Sequence, residues 1–150
     1  MRIIDLESFS ELKRLPPTDS KCLSVCSSSS EKNTIYAGYS DGTIRKFLDG
    51  GVSKRLTYIF QHKDSAIWVL KEIDGFLVSG DSNGDVIIWD KMNGNAVKVF
   101  SDFKGDVLTL AVNNDQKTIY ASGVDSRVIA YKGKFNFKFD CLFDLLIILF

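Results

Sequence analysis

The sequence predicts an all-β protein built from short antiparallel sheets, and three observations carry that expectation. A hairpin motif occurs three times at one fixed interval. The runs between turns are short and rich in β-branched and aromatic residues, as strands require. Asp, Asn, Ser and Gly punctuate the chain at matching places, each suited to a tight turn.

The clearest copy of the motif spans residues 76–90, FLVSGDSNGDVIIWD. Leu77 and Val78 lie in one expected strand, and Val86, Ile87, Ile88 and Trp89 in the next. Asn83-Gly84 between them predicts a type I′ turn, which needs positive φ at both central residues. Upstream, residues 35–47 read IYAGYSDGTIRKF, and downstream, residues 119–131 read IYASGVDSRVIAY. Asp41-Gly42, Asn83-Gly84 and Asp125-Ser126 fall 42 residues apart at each step. The closing aromatics Phe47, Trp89 and Tyr131 keep the same step, as do Ile44, Val86 and Val128. A period of about 40–45 residues with hairpins that end on Trp-Asp is the signature of WD repeats, each one a four-stranded propeller blade. Three repeats are fewer than the four to eight blades of a closed propeller, so the expectation is a partial, open propeller. Either the arc belongs to a larger ring, or other chains complete it.

Taken in order, residues 1–17 are expected to form an N-terminal extension or the remnant of a preceding strand. Ile3, Leu6, Phe9, Leu12 and Leu15 recur every third residue, which suits neither helix nor strand, and Pro16-Pro17 ends the segment. Residues 18–134 hold the three repeats. The first opens with Leu23 and Val25 alternating with Cys22, Ser24 and Cys26. A polar loop over residues 27–32 leads to its hairpin. An irregular connection follows from Gly50-Gly51, and residues 57–60, TYIF, are expected to be its outer strand. The second repeat opens at Ile67, turns at Asp74-Gly75, and ends in an outer strand over residues 96–100. The third begins at Asp106 and turns at Asn113-Asn114-Asp115. Its hairpin turn has Ser126 in place of Gly, which makes positive φ more costly there. Residues 135–150 form an apolar tail. Phe135, Phe137 and Phe139 alternate as a strand, and residues 145–150 are a six-residue apolar run. This end is expected either to pair as a strand with something else or to be a truncated or alternative terminus of a longer chain.

Composition narrows the function. The chain has 150 residues, 45% hydrophobic and 25% charged, ordinary for a globular domain with one core. Nineteen basic residues balance nineteen acidic ones, so no net field favours nucleic acid or an anionic membrane. Contact with RNA is expected only indirectly. No window reaches 18 apolar residues, and Asp5 and Glu7 interrupt the first apolar stretch, so neither a spanning helix nor a secretory leader is expected. Both expectations fit a nucleocytoplasmic protein with no membrane partner. Cys22 and Cys26 share one face of a strand at about 13 Å, too far for a mutual disulfide. The single His and three Cys lack ligand spacing, and no nucleophile–base pair stands out. No catalytic, cofactor-binding or metal-binding residue is expected, and the chain is read as a binding module rather than an enzyme.

In WD repeats a hydrogen-bonded set often ties each blade together: a His before the first strand, a Ser or Thr in the second, the turn Asp and the Trp of the third. Here the match is partial. Ser79 and Trp89 suit the middle repeat, Ala37 and Ala121 occupy the Ser position in its neighbours, and His62 does not recur. Asp41 and Asp125 are expected to brace turns rather than act as acids or bases. The loops at one end of the strands form a candidate contact rim: Ser40, Asp41, Asp81, Ser82, Asn83, Val124 and Asp125. Gly42, Gly84, Phe47, Trp89 and Tyr131 are expected to be structural.

One resemblance is more specific. Ile67-Trp68, Asp74-Gly75, VSGDSNGDVIIWD, Gly94 with Val97-Lys98, DVLTLAV and ASGVDSRV together resemble the cirhin family, WD-repeat subunits of the nucleolar small-subunit processome. Gly51-Val52-Ser53-Lys54-Arg55 in the irregular connection also resembles that family. The resemblance covers roughly residues 20–132. It implies a longer chain with two propellers, a scaffold role in pre-rRNA transcription and processing, other WD-repeat proteins as partners, and a nucleolar location. The alternative is a generic WD-repeat adaptor of a ubiquitin ligase or trafficking complex, working in the cytoplasm.

Overall fold

The computed structural model describes residues 2–14, 19–48, 60–61, 65–113, 115, 117–133 and 143–149. Among the described residues every regular element is a strand, and no helix is long and apolar enough to cross a membrane. A two-stranded hairpin, β1 (Arg2–Ile4) and β2 (Glu11–Arg14), comes first. The triplet spacing of the N-terminus thus resolves into two short strands, joined by a turn in which the Asp5 carboxylate accepts the Glu7 and Ser8 amides at 2.7 and 2.9 Å.

Three four-stranded antiparallel sheets follow, each a meander in chain order. Blade 1 comprises β3 (Cys22–Ser27), β4 (Thr34–Tyr39), β5 (Thr43–Leu48) and β6 (Phe60–Gln61). Blade 2 comprises β7 (Ile67–Ile73), β8 (Phe76–Asp81), β9 (Val86–Asp90) and β10 (Ala96–Phe100). Blade 3 comprises β11 (Val107–Asn113), β12 (Thr118–Gly123), β13 (Arg127–Gly133) and β14 (Phe143–Leu149). The chain is therefore all-β, with WD-type blades forming part of a propeller. Phe60 lies in the outer strand of blade 1 as expected; the rest of the 57–60 run, and Phe135, Phe137 and Phe139, lie outside the described residues. The apolar C-terminal run pairs within its own chain: β14 closes blade 3 against β13, with Ile147 opposite Ile129 and Leu145 opposite Tyr131.

The hairpin turns differ from the expectation. Gly84 takes φ 88° and Gly42 φ 77°, while Asn83 and Asp41 do not enter the positive region. Gly84 N donates to Asp81 O at 3.4 Å and Asp81 N to Asp85 O at 3.1 Å. This is a three-residue loop, a type I turn closed by a glycine in the left-handed region, and it needs positive φ only once. Gly84 cannot be replaced cheaply, because an added Cβ would meet Phe103 O at 2.5 Å. At the third copy Ser126 avoids positive φ altogether, so the expected strain is not taken up there. A true type I′ turn occurs instead at Asp74-Gly75, with φ of 44° and 85°, between Ile73 and Phe76.

The repeat is also visible in the pairing. Register shifts between Cys22 and Ser24, Ile67 and Val69, and Val107 and Thr109 place a bulge at the same point of each first strand. Alternation along each strand sends side chains to two opposite faces, and both faces of blade 2 are buried. Leu77, Ile87 and Trp89 join Ile67 and Leu70 against Tyr36 and Ile44 of blade 1. Val78, Val86 and Ile88 point the other way, into a cluster with Val107, Leu110, Ile119, Ala121, Ile129 and Tyr131 of blade 3. That is why residues 86–89 read as an unbroken apolar run: the strand is sandwiched, not half-exposed. Blades approach one another through their first two strands, β3 and β4 against β7, and β7 and β8 against β11.

Glycines set how closely the blades stack. An added Cβ at Gly38 would lie 2.6 Å from Ile67 Cγ2, and one at Gly80 would lie 2.6 Å from Val107 Cγ1. Each glycine sits in the second strand of one blade and receives the β-branched residue that opens the first strand of the next.

Candidate interaction rim

The three loops after the second strands lie at one end of the sheets and are tied to the segments that lead into the first strands. Ser40 N donates to Lys21 O at 2.9 Å, and Lys21 N returns a bond to Ser40 Oγ at 3.0 Å. Ser82 and Ala66 repeat the exchange at 3.0 and 2.9 Å. At the third copy Val124 N still donates to Asp106 O at 3.1 Å, but Val124 has no hydroxyl to receive the second bond. Its side chain is exposed instead.

The carboxylates in these loops are engaged internally. Asp41 Oδ1 accepts the Thr43 amide at 3.1 Å and its hydroxyl at 2.6 Å, while Oδ2 accepts from Arg45 Nη2 at 3.1 Å and from the Ser20 hydroxyl. Burial alone would push the Asp41 carboxyl up, but the bonds from Ser20 and Thr43 outweigh it and hold it below the usual range. Asp125 accepts the Arg127 amide at 2.9 Å and is gripped by its guanidinium, chiefly for which its carboxyl is held well below the carboxylate range. In blade 2 the work shifts to Asp81. Its Oδ1 accepts the Asn83 and Asp85 amides at 2.9 and 3.0 Å, and its Oδ2 accepts from Ser65 Oγ at 2.8 Å.

The rim is therefore narrower than the sequence suggests. Asp81 is fully buried and belongs to the turn, not to a contact surface. Ser40, Asp41, Asn83 and Val124 are exposed, with Ser82 and Asp125 half-buried beside them. Lys104, Asp125, Ser126 and Arg127 line a shallow depression at the blade 3 end of this rim. Of the bracing residues, Trp89 Nε1 donates to Ser79 Oγ at 2.9 Å, as expected for the middle repeat. His62 lies outside the described residues. Cys22 and Cys26 are both free thiols. Among the described residues, no group of three or more His, Cys, Asp or Glu is placed to hold a metal ion.

At the opposite end lies a polar cluster that no sequence pattern announced. Lys91 and Glu72 of blade 2 form a buried ion pair. Lys91 Nζ also donates to Ser30 Oγ of blade 1 at 2.6 Å, and Ser30 Oγ and the Ser29 amide donate to Glu72 at 2.7 and 2.8 Å. Glu31 adds a contact to Lys91 at 3.9 Å and pairs with Lys46 at 2.5 Å. Burial alone would raise the Glu72 carboxyl, but the bonds from Lys91, Ser30 and Ser29 together bring it down to about 2. Burial and the neighbouring Glu31 push the Tyr36 hydroxyl up, fixing it in its protonated form. The cluster fastens blade 1 to blade 2, and Lys117 with Asp74 at 2.7 Å fastens blade 2 to blade 3.

No protein-family model matches the chain. It is 30% identical over 110 residues, 67% of its length, to U3 small nucleolar RNA-associated protein 4 of Schizosaccharomyces pombe. It is 30% identical over 117 residues, 73% of its length, to WD repeat-containing protein 90 of Xenopus tropicalis. A 77 kDa echinoderm microtubule-associated protein of Strongylocentrotus purpuratus is 29% identical over 91 residues, 58% of the chain. The chain spans only 15%, 6% and 13% of those three proteins. Its likeness is thus to segments of much longer proteins, one of them named for its WD repeats.

Proposed function

We propose that the chain is a non-catalytic scaffold for protein–protein contact in the assembly of the small ribosomal subunit, within the cirhin family. The observation that carries this reading is the similarity over 110 residues to U3 small nucleolar RNA-associated protein 4. The separate resemblance of residues 20–132 to the cirhin family adds support. The contact surface is the rim of Ser40, Asp41, Ser82, Asn83, Val124 and Asp125, held in place by the internal bonds of their loops so that binding costs little ordering. Its partners are other WD-repeat subunits of a pre-ribosomal complex. The net charge of zero favours proteins over direct RNA contact.

A tagged chain should concentrate in nucleoli and sediment with pre-ribosomal particles. The double variant Asn83→Arg, Val124→Arg alters exposed loop side chains and should lose those particles while retaining its circular dichroism. Diffuse cytosolic distribution with no co-sedimenting particle overturns the reading. It would favour the second one, a general WD-repeat adaptor, which the comparable similarity to WD repeat-containing protein 90 supports.

A further inference from the structure

We propose that the serine loop between β3 and β4 is a phosphorylation-operated clasp, and that a phosphoryl group on Ser30 releases blade 1 from blade 2. The inference concerns a joint with both its sides inside the chain, and it is independent of the rim and its partners.

The loop is built differently from its counterpart in blade 2. Asp74-Gly75 alone joins β7 to β8, whereas residues 28–33 join β3 to β4. Ser27, Ser28, Ser29 and Ser30 run consecutively into this loop, and Ser29 and Ser30 are exposed. The extra length carries the loop across to blade 2. There the Ser29 amide and the Ser30 hydroxyl donate to separate oxygens of Glu72, at 2.8 and 2.7 Å. The same Ser30 oxygen accepts from Lys91 Nζ at 2.6 Å. One hydroxyl thus bridges the two charges of a pair otherwise sealed from water, the Glu72 and Lys91 side chains being 5% and 4% exposed. A buried pair is thereby linked to an oxygen on an exposed residue.

The charges of this cluster cancel. Lys91 and Lys46 face Glu72 and Glu31, two cations against two carboxylates. A phosphoryl group adds about −1.5 to −2 at neutral pH. Lys32, on the same loop, is exposed, and pairing in water offsets little of that charge. A serine kinase supplies the group from ATP. The bond between Ser30 Oγ and phosphorus forms, the bond from the γ-phosphorus to ADP breaks, and the hydroxyl proton passes to the kinase's base. The ester oxygen then has no hydrogen to give Glu72. The phosphoryl group also brings acceptor oxygens beside two carboxylates, where little water screens the repulsion. The loop relieves that repulsion by lifting into solvent. Glu72 then loses both bonds from the loop, and blade 1 loses its polar fastening to blade 2. Blade 3 keeps its own fastening through Lys117 and Asp74.

The test is the full chain with phosphoserine encoded at position 30. It is compared with the unmodified chain and with Ser30→Ala, which loses the hydroxyl but gains no charge. Amides of β3 and β7 should exchange roughly a hundredfold faster with phosphoserine than with Ser30→Ala, the scale of a broken buried pair. Those of β12 and β13 should keep their protection. In Glu72→Gln the repelling carboxylate is gone and Lys91 is released to hold the phosphate. There phosphoserine should open the joint no faster than Ser30→Ala. If the phosphoserine chain does not fold, recovery of folding in Glu72→Gln is the supporting result. Phosphopeptide mapping of the chain isolated from its own cells, with phosphatases inhibited, should place phosphate on Ser30. Phosphoserine that opens the joint no more than Ser30→Ala, an equal effect or a failure to fold in Glu72→Gln, or a mapped chain with no phosphate on Ser30 overturns the proposal.

Discussion

Trp89 Nε1 donates a 2.9 Å hydrogen bond to Ser79 Oγ, and both side chains are buried between blades 1 and 2. The two other blades treat the same pair of positions differently. In blade 3 the pair is Ala121 and Tyr131, and the tyrosine hydroxyl reaches Asp102 Oδ2 at 3.1 Å instead. In blade 1 it is Ala37 and Phe47, and there is no polar group to satisfy. The hydroxyl occurs in the one repeat whose aromatic carries a buried N–H, as expected when an unpaired buried donor is costly.

Ser79→Ala should therefore destabilise the chain by about 1–3 kcal/mol, the penalty of an orphaned buried donor. Trp89→Phe in the same background should add less than it costs alone, because the two residues share one interaction. Urea unfolding followed by circular dichroism measures both, and additive effects would contradict the role given to this bond.

Gly80→Ala should destabilise by about 1–3 kcal/mol through overpacking, since the new methyl group meets Val107 Cγ1 at 2.6 Å. Combining it with Val107→Ala should recover part of that loss, although Val107→Ala alone removes buried surface. A double variant no better than the sum of the singles would show that the glycine serves some purpose other than blade spacing.

Acid should loosen the joint between blades 1 and 2. Despite its burial, the Glu72 carboxyl is brought down to about 2 in the folded chain, chiefly by its bonds from Lys91 and Ser30, against an ordinary value of 4.5. A group that binds its proton less readily when folded stabilises fully above its unfolded pKa and loses that contribution as pH falls toward the folded value. Stability should thus drop between about pH 5 and pH 2, and Glu72→Gln should flatten that part of the profile. Thermal melts across the range provide the measurement, and an unchanged slope in the variant would refute the assignment.

Removing one partner of the buried pair should be worse than removing both. Lys91→Met leaves Glu72 enclosed without its cation and should cost about 3–5 kcal/mol. Lys91→Met with Glu72→Leu should be markedly more stable than Lys91→Met alone. Equal stability of the two would mean that the Ser29 and Ser30 donors, without Lys91, suffice for the carboxylate.

How far the sequence could be read depended on the distance over which each feature is encoded. The period, the closing aromatics and the glycine turns are written in contiguous residues, so the three sheets could be placed from spacing alone. Turn type was less legible. Asn83-Gly84 fits two loop geometries, and the choice depends on the hydrogen bonds of Asp81, three residues before Gly84. For the rim, position could be inferred from the repeat but exposure could not: Asp81 and Asn83 both look like loop residues, yet Asp81 is buried by Ser65 and its own turn.

By itself, then, the sequence determined a chain of WD-type hairpins at 42-residue intervals, because strand alternation and turn chemistry are local properties. Only the tertiary structure decided how one blade meets the next. The seating of Ile67 on Gly38, the Lys91–Glu72–Ser30 cluster and the closure of blade 3 by β14 join residues far apart in the chain. Such contacts follow from which faces stack, and no local pattern of residues encodes that.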